Sequence, residues 1–514
     1  MASVITARPT AAVLRTDRWA VPAAMLALVA LQVAATGSIS LFHRLPWLDE
    51  YHTLLIVGDP SLPHAMDALK HGADVNAPGL YLLGRAVSWG VGSSDPATIR
   101  GIGFASVLAG IAGIYATARR AYPPGVAMIA AMAAWAHPLA TRHAFEARFY
   151  GPWFAGIVWF AYALNLWDRS ARKAGPGLLI ALTSAFVCTI HYFGVISLGL
   201  VVAAHTAFAR GSWKDSLTRL IPVGAGPMAL AACLPFYFGQ KRSLSVPTWV
   251  DPPSLVSVRL FLEGYFGFYL LAIPVLGFFA SRFRARPEPE EVEPEEEARR
   301  FPELAGMAGL VLMPAALVAF SVLVQSALVD RYTIPGVAAI GLLIAPIVAR
   351  IGTPLRGAVL VGLLGFSTIN LSAAVRHHAI VDSRRHEAVA ILARLGDGPV
   401  LFRMRKDLYE FWWDAPNLRS RLFLWDPTDL VRDVPDRLVI ERDMARNHDR
   451  WYGVGKIAGL ASFGDRPVVY LYGLDPPDIP DLERSEPGIR LRTIDARRGL
   501  YEATRPTGPA RSGG

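Results

Sequence analysis

Long apolar runs constrain this chain more than any other feature. Stretches approaching the ~20 residues that a spanning helix requires recur at 19–42, 97–118, 122–140, 150–167, 176–191, 194–209, 217–239, 257–281, 304–328, 331–350 and 355–374. With 53% of its 514 residues hydrophobic and only 18% charged, the chain reads as an all-α polytopic membrane protein of about eleven transmembrane helices. The segment 78–91 differs. At 1.5 Å per residue it reaches about 21 Å, short of a hydrocarbon core of ~30 Å, and it carries Arg85. A re-entrant or interfacial helix inside a first outer loop, 43–96, suits it better than a span.

The basic residues set the sides. With 78–91 excluded, Arg8, Arg15, Arg18, Arg119, Arg120, Arg169, Arg172, Lys173, Arg210, Lys214, Arg219, Arg350 and Arg356 all fall on one face. That face is cytoplasmic under the positive-inside rule, and counting 78–91 as a span would place most of them outside. The expected arrangement is therefore a multi-pass protein of the plasma (inner) membrane with a cytoplasmic N-terminus and an uncleaved first span. The segment Arg282–Arg300 reads as a flexible cytoplasmic connection, because acidic residues weigh little in the sidedness signal.

Beyond residue 375 the composition changes. HEAVAILARLG has the pattern of a short amphipathic helix, while GPVLFRM, RLVIERD and RPVVYLYG resemble strands punctuated by Gly, Pro and Asp. The expected division is 1–375, a transmembrane domain, and 376–514, a small extracytoplasmic α/β domain with a disordered tail near RPTGPARSGG. Cys188 and Cys233 both fall inside apolar runs, so no disulfide framework is legible. The net charge of +9 derives largely from arginines beside spans and speaks for lipid rather than nucleic acid.

With sides assigned, ionisable and aromatic groups from several loops meet at one level of the bilayer. Asp49 and Glu50 lie in RLPWLDEYHT, directly after the first span, and Tyr81 in NAPGLYLL. Glu146, Arg148 and Tyr150 lie in HAFEARFYG, His191 in HYFG, Lys241 and Arg242 in FGQKRSLS, and Arg331 and Tyr332 in VDRYTIP. Arg100 sits at the outer end of the second span. Each has a structural alternative. Asp49 reads as a base or as a helix N-cap, and Glu50 as orienting an acceptor or simply solvated. Glu146 and Arg148 read as site residues or as an ion pair at a span end. Tyr150 and Tyr332 also suit an aromatic belt, and His191 is similarly divided. Arg331, Arg100, Lys241 and Arg242 suit donor phosphate contact or snorkelling to headgroups.

The order of these motifs resembles the polyprenyl-phosphate-sugar-dependent glycosyltransferases of GT-C fold, relatives of which are the protein O-mannosyltransferases and bacterial lipid A aminoarabinose transferases. The resemblance lies in DE after the first span, P-x-L-Y before a short helix, EARFY about a hundred residues after DE, then HYFG, and RY opening a late span; it covers about residues 19–375. It implies a glycosyltransferase that moves a hexose or pentose from a polyprenyl-phosphate carrier to an extracytoplasmic glycolipid, polysaccharide or protein. In that family the first-loop acid is the catalytic base, which maps to Asp49. Where the aminoarabinose transferases carry a lysine before the proline of P-x-L-Y, this chain has Asn76 and Ala77, which leaves Arg331 and Arg100 as candidate phosphate cations. A monophosphate leaves without a divalent ion in principle, so no metal cofactor is expected. The rival readings are a lipid-linked sugar flippase, which would carry its essential charges along a central path, and a non-catalytic envelope-assembly subunit.

The topology is open to direct test. Cysteine-accessibility labelling of a Cys-free chain should find position 120 protected from an impermeant reagent on the outer face and position 450 labelled. The reverse at either position contradicts the arrangement.

Overall fold

The computed structural model describes residues 11–170, 173–208, 213–246, 248, 250–267, 269–282, 304–426, 436–463, 466 and 468–504. The charge-rich loop and the terminal tail expected from the sequence, 283–303 and 505–514, lie outside them.

Helix forms, over the described residues, at each of the apolar runs. Five helices are long and apolar enough to cross a bilayer: Pro96–Ala118, Thr218–Arg242, Leu304–Leu323, Asp330–Ala349 and Thr353–Arg394. Four shorter apolar helices accompany them at Ala20–Ala35, Pro124–Ala136, Ala174–Ile190 and Gly194–Phe208. Two expected spans are interrupted. The run 257–281 breaks at Gly267, whose φ of +42° closes the helix Leu255–Phe266. The run 304–328 stops at Leu323, and its final residues, including Gln325, Ser326 and Ala327, line a cavity instead. Segment 78–91 is a 13-residue helix, Gly79–Val91.

Close approach of two helices positions the functional region. A Cβ on Gly151 would lie 2.4 Å from the carbonyl oxygen of Gly103, and one on Gly103 would lie 2.7 Å from that of Glu146. Pro96–Ala118 and Tyr150–Arg169 therefore meet backbone to backbone, which draws the EARFY segment against Arg100. Pro124–Ala136 is alanine-rich, and its residues from Val126 on are buried on every side except the half-buried Met128, as expected of a central helix in a bundle.

The helix expected to end at residue 374 continues without a break to Arg394, 42 residues in all. At 1.5 Å per residue this is about 63 Å, roughly twice the hydrocarbon thickness. It leads directly into a six-stranded sheet of order β3-β2-β1-β4-β6-β5. The strands are β1 (Val400–Phe402), β2 (Leu422–Trp425), β3 (Ile457–Ala458), β4 (Val468–Tyr472), β5 (Arg490–Asp495) and β6 (Leu500–Thr504). The first four pair in parallel, and β6 and β5 extend the sheet antiparallel. RLVIERD is a correction to the sequence reading: it lies in the helix Asp436–Tyr452, not in a strand. Ile440, Met444 and His448 are buried at four-residue intervals, a helical stripe that the apolar triplet Leu438–Ile440 disguises.

Candidate active site

The site begins at the N-terminus of the helix Leu48–Val57, where Asp49 and Glu50 occupy the first turn. Acidic side chains there complement the helix dipole. Successive residues point about 100° apart around a helix, and the two carboxylates consequently part company. Glu50 turns inward and is fully buried; Asp49 lines a cavity.

Glu50 gathers six donors. Its Oε1 accepts from Arg100 Nε at 2.9 Å, Arg44 Nη2 at 3.2 Å and the Ala147 backbone N–H at 2.8 Å. Its Oε2 accepts from Arg44 Nη1 at 2.9 Å, Arg100 Nη2 at 2.8 Å and the Trp47 N–H at 3.2 Å. Burial acts to raise the Glu50 pKa, but the two guanidiniums outweigh it and hold the group at about 2. Arg100 spends its remaining Nη1 on the carbonyls of Phe42 (2.8 Å) and Arg44 (2.7 Å).

A second buried carboxylate, Asp74, anchors the other cation. Arg148 Nη1 donates to Asp74 Oδ2 at 2.6 Å, to Thr53 Oγ1 at 3.0 Å and to the Asp49 carbonyl at 2.8 Å. Tyr81 OH donates to Asp74 Oδ2 at 2.6 Å, and Asn76 Nδ2 to Oδ1 at 2.9 Å. Burial opposes the Asp74 charge, yet Arg148 and these hydrogen bonds shift its pKa below the ordinary carboxylate value. Arg148 is thus fixed across the helix that carries Asp49.

Between these anchors lies a cavity of about 370 Å³. It brings together Asp49, Arg148, Tyr150, His191, Lys241, Arg331 and Tyr332 from distant parts of the chain. Asp49 Oδ2 is 3.1 Å from Arg331 Nη2, and the Arg331 guanidinium sits 5.4 Å from the Trp47 ring centroid. Lys241 Nζ donates to Gln325 Oε1 at 2.7 Å. An aromatic floor forms around His191, stacked on Trp153 at 4.6 Å and tilted against Phe149 at 4.2 Å, with Tyr332 at 5.3 Å. The Phe193 N–H donates to His191 Nδ1 at 3.1 Å, which fixes that ring nitrogen as an acceptor.

Five residues singled out from sequence do not line this cavity: Glu50, Tyr81, Arg100, Glu146 and Arg242. Glu50 and Arg100 are consumed by each other, which corrects the placement of Arg100 at a donor phosphate. Tyr81 supports Asp74 from behind. Glu146 pairs with His143 Nδ1 at 2.8 Å, and Arg242 is exposed. Asp74 and His52, which the sequence places in the same first outer loop as Asp49, also line the cavity; sequence reasoning missed Arg405, Ile440, Glu441 and Met444, which reach it from the C-terminal α/β region. The i, i+4 spacing of Ile440 and Met444 was the available signal. Among the described residues no group of three or more His, Cys, Asp or Glu side chains is placed to hold a metal ion.

No family model matches this sequence, and no curated protein matches it. Solved structures share its fold. ArnT from Cupriavidus metallidurans bound to undecaprenyl phosphate aligns over 94% of this chain and 99% of its own, with a TM-score of 0.58 at 14% identity. The same enzyme in the apo state aligns over 93% and 98%, with a TM-score of 0.59 at 14% identity. An oligosaccharyltransferase from Archaeoglobus fulgidus aligns over 77% of this chain and 64% of its own at 12% identity, with a TM-score of only 0.43, too slight a likeness to carry an argument. ArnT is a lipid A aminoarabinose transferase of GT-C fold. The chain described here has that fold.

The Glu50 network predicts a stability signature. Replacing Glu50 by Gln, or Arg100 by Ala, leaves buried charge uncompensated and should cost about 3–5 kcal/mol, read as a large fall in thermal midpoint in detergent. Because the folded pKa of Glu50, about 2, lies below the ordinary glutamate value of 4.5, its contribution is complete above pH 4.5 and is lost as pH falls toward 2. The gap in midpoint between the parent protein and Glu50→Gln should be flat from pH 5 to 8 and narrow below pH 4.5. A gap that instead grows on acidification contradicts the assignment.

Proposed function

We propose that this protein is a membrane glycosyltransferase that moves a sugar from a polyprenyl-phosphate carrier to an acceptor hydroxyl on the extracytoplasmic face, with Asp49 as general base. The observation that carries this reading is the cavity in which Asp49 sits 3.1 Å from Arg331, with Arg148 and Lys241 on the same walls, while the other two lining carboxylates, Asp74 and Glu441, are tied to Arg148 and Arg405. Its fold is that of ArnT, which binds undecaprenyl phosphate. A central conduction path of charge, the mark of a transporter, is not needed to account for these residues.

The chemistry follows from the leaving group. A sugar alkoxide needs an acid to leave, whereas a phosphate monoester departs unaided, so one base suffices. Asp49 takes the proton of the acceptor hydroxyl as that oxygen bonds to the anomeric carbon. The bond from that carbon to the carrier phosphate breaks, and its electron pair leaves with the polyprenyl phosphate. Arg331, Lys241 and Arg148 bear the charge that accumulates on the phosphate. Attack opposite the departing phosphate inverts the anomeric centre, and the step calls for no divalent ion. The apolar and aromatic wall of Tyr237, Phe193 and Phe320 accepts the first isoprene units. In this reading residues 376–514 form an extracytoplasmic part of the enzyme, and Asp49 stands beside the bilayer because the lipid phosphate cannot leave it.

Two substitutions test the reading on purified protein with an undecaprenyl-phosphate-linked sugar. Asp49→Asn should retain carrier binding while turnover falls at least ~100-fold. Arg331→Ala should weaken binding of undecaprenyl phosphate itself by roughly 1.5–3 kcal/mol. Near-normal turnover in Asp49→Asn places the base elsewhere; unchanged carrier affinity in Arg331→Ala removes that arginine from the phosphate site.

A further inference from the structure

The cavity has a second polar wall that the transfer step does not use. Arg405 opens the helix Arg405–Asp414 directly after β1, and Glu441 lies on the helix Asp436–Tyr452. Both line the cavity, and both are largely buried, with side-chain exposures of 3% and 12%. Arg405 Nε donates to Glu441 Oε2 at 3.0 Å, and Arg405 Nη1 lies 3.0 Å from His52 Nε2. His52 shares the helix of Asp49, one turn further on. Burial and the nearby Arg405 charge depress the His52 pKa, so the imidazole is neutral and Nε2 accepts the Arg405 hydrogen bond.

This wall is not an anion site. The Arg405 charge is matched by Glu441 in a largely buried pair. What remains is one donor and one acceptor side by side. The hydrogen bonds of Arg405 to Glu441 and His52 use Nε and Nη1, and that of Glu441 uses Oε2; the Tyr409 hydroxyl is the other side-chain hydrogen-bonding neighbour of Arg405. A hydroxyl both donates and accepts, and two neighbouring hydroxyls match this pair without bringing charge into the cavity. We propose that Arg405 and Glu441 form a sugar-hydroxyl subsite, in which one hydroxyl of a saccharide accepts from Arg405 Nη2 and its neighbour donates to Glu441 Oε1. The C-terminal α/β region thereby supplies the sugar selectivity of a cavity whose base and cations come from the helical part. Sites built to pair buried polar groups with a hydroxyl reject analogues that lack it. The inference deepens the glycosyltransferase reading and rests on it for the identity of the saccharide as donor sugar or acceptor.

The test uses the full chain in nanodiscs and a panel of methyl hexosides and methyl arabinopyranosides with their deoxy counterparts, read by saturation-transfer NMR. At least one parent glycoside should bind. Its affinity should fall about tenfold or more both in the deoxy form and in Glu441→Gln, a variant that preserves shape and whose folding is checked by gel filtration and by retained undecaprenyl phosphate binding; Arg405→Lys is the second variant. Equal binding by the parent protein and Glu441→Gln, or no glycoside binding by the parent, overturns the proposal. In the transfer assay, a raised donor KM in Glu441→Gln assigns the subsite to the transferred sugar and a raised acceptor KM assigns it to the acceptor; neither changing also overturns it. Undecaprenyl phosphate binding is measured separately on the same samples. Its failure there would sink the donor reading while the glycoside result stood on its own.

Discussion

The Glu50 carboxylate holds the site together. A fully buried charge is costly unless it is paired and saturated with hydrogen bonds, and Glu50 meets that demand with two guanidiniums and two backbone N–H groups. The donors come from three stretches of chain besides the site helix itself. Arg44 and Trp47 come from the turn before the site helix, Arg100 from Pro96–Ala118, and Ala147 from the segment leading into Tyr150–Arg169. The excess positive charge is absorbed by the carbonyls of Phe42, Arg44, Leu45 and Phe145. Four segments are thus locked to one atom pair, and the neighbouring residue, Asp49, inherits a fixed position. Preorganisation of this kind is what a reacting group needs, since small misplacements cost large factors in rate.

Around that fixed point the charges divide into two tasks. Asp74 immobilises Arg148 across the site helix, while Arg331 reaches the same carboxylate that the proposed step uses as a base. The C-terminal region closes the cavity through an interface of its own. Arg385 bonds the Pro46 carbonyl and Tyr51, His448 lies 2.6 Å from the Ala73 carbonyl, and the His448 ring lies tilted against that of His52 at 4.8 Å.

Much of this was legible in the sequence, for identifiable reasons. Helices at the apolar runs follow from composition and length, and the clustering of Asp49, Arg148, Tyr150, His191, Lys241, Arg331 and Tyr332 follows from their motifs lying at span ends. The partition of DE into one structural and one cavity-facing carboxylate was not legible. It depends on the 100° step of a helix whose register only the fold reveals, and on Arg100 arriving beside Glu50 through a glycine contact at Gly103 and Gly151. Arg405 and Glu441 were hidden for a different reason. RLVIERD packs three apolar residues in a row, which mimics a buried strand, and the docking of that helix onto the cavity is a long-range event. The continuous helix Thr353–Arg394 likewise crosses from apolar to charged sequence without a break, so a change of composition at 375 does not mark an end of structure.

The measurement that tests the account most directly is the stereochemistry of transfer by the purified protein in nanodiscs. The donor is an undecaprenyl-phosphate-linked sugar of defined anomeric configuration, and the product linkage is read by NMR. A single displacement driven by one carboxylate predicts an inverted anomeric centre in the product, with one undecaprenyl phosphate released per sugar moved. A retained configuration would require a covalent glycosyl intermediate and contradict Asp49 as a base; carriers crossing the bilayer with their sugars still attached would contradict the enzyme itself.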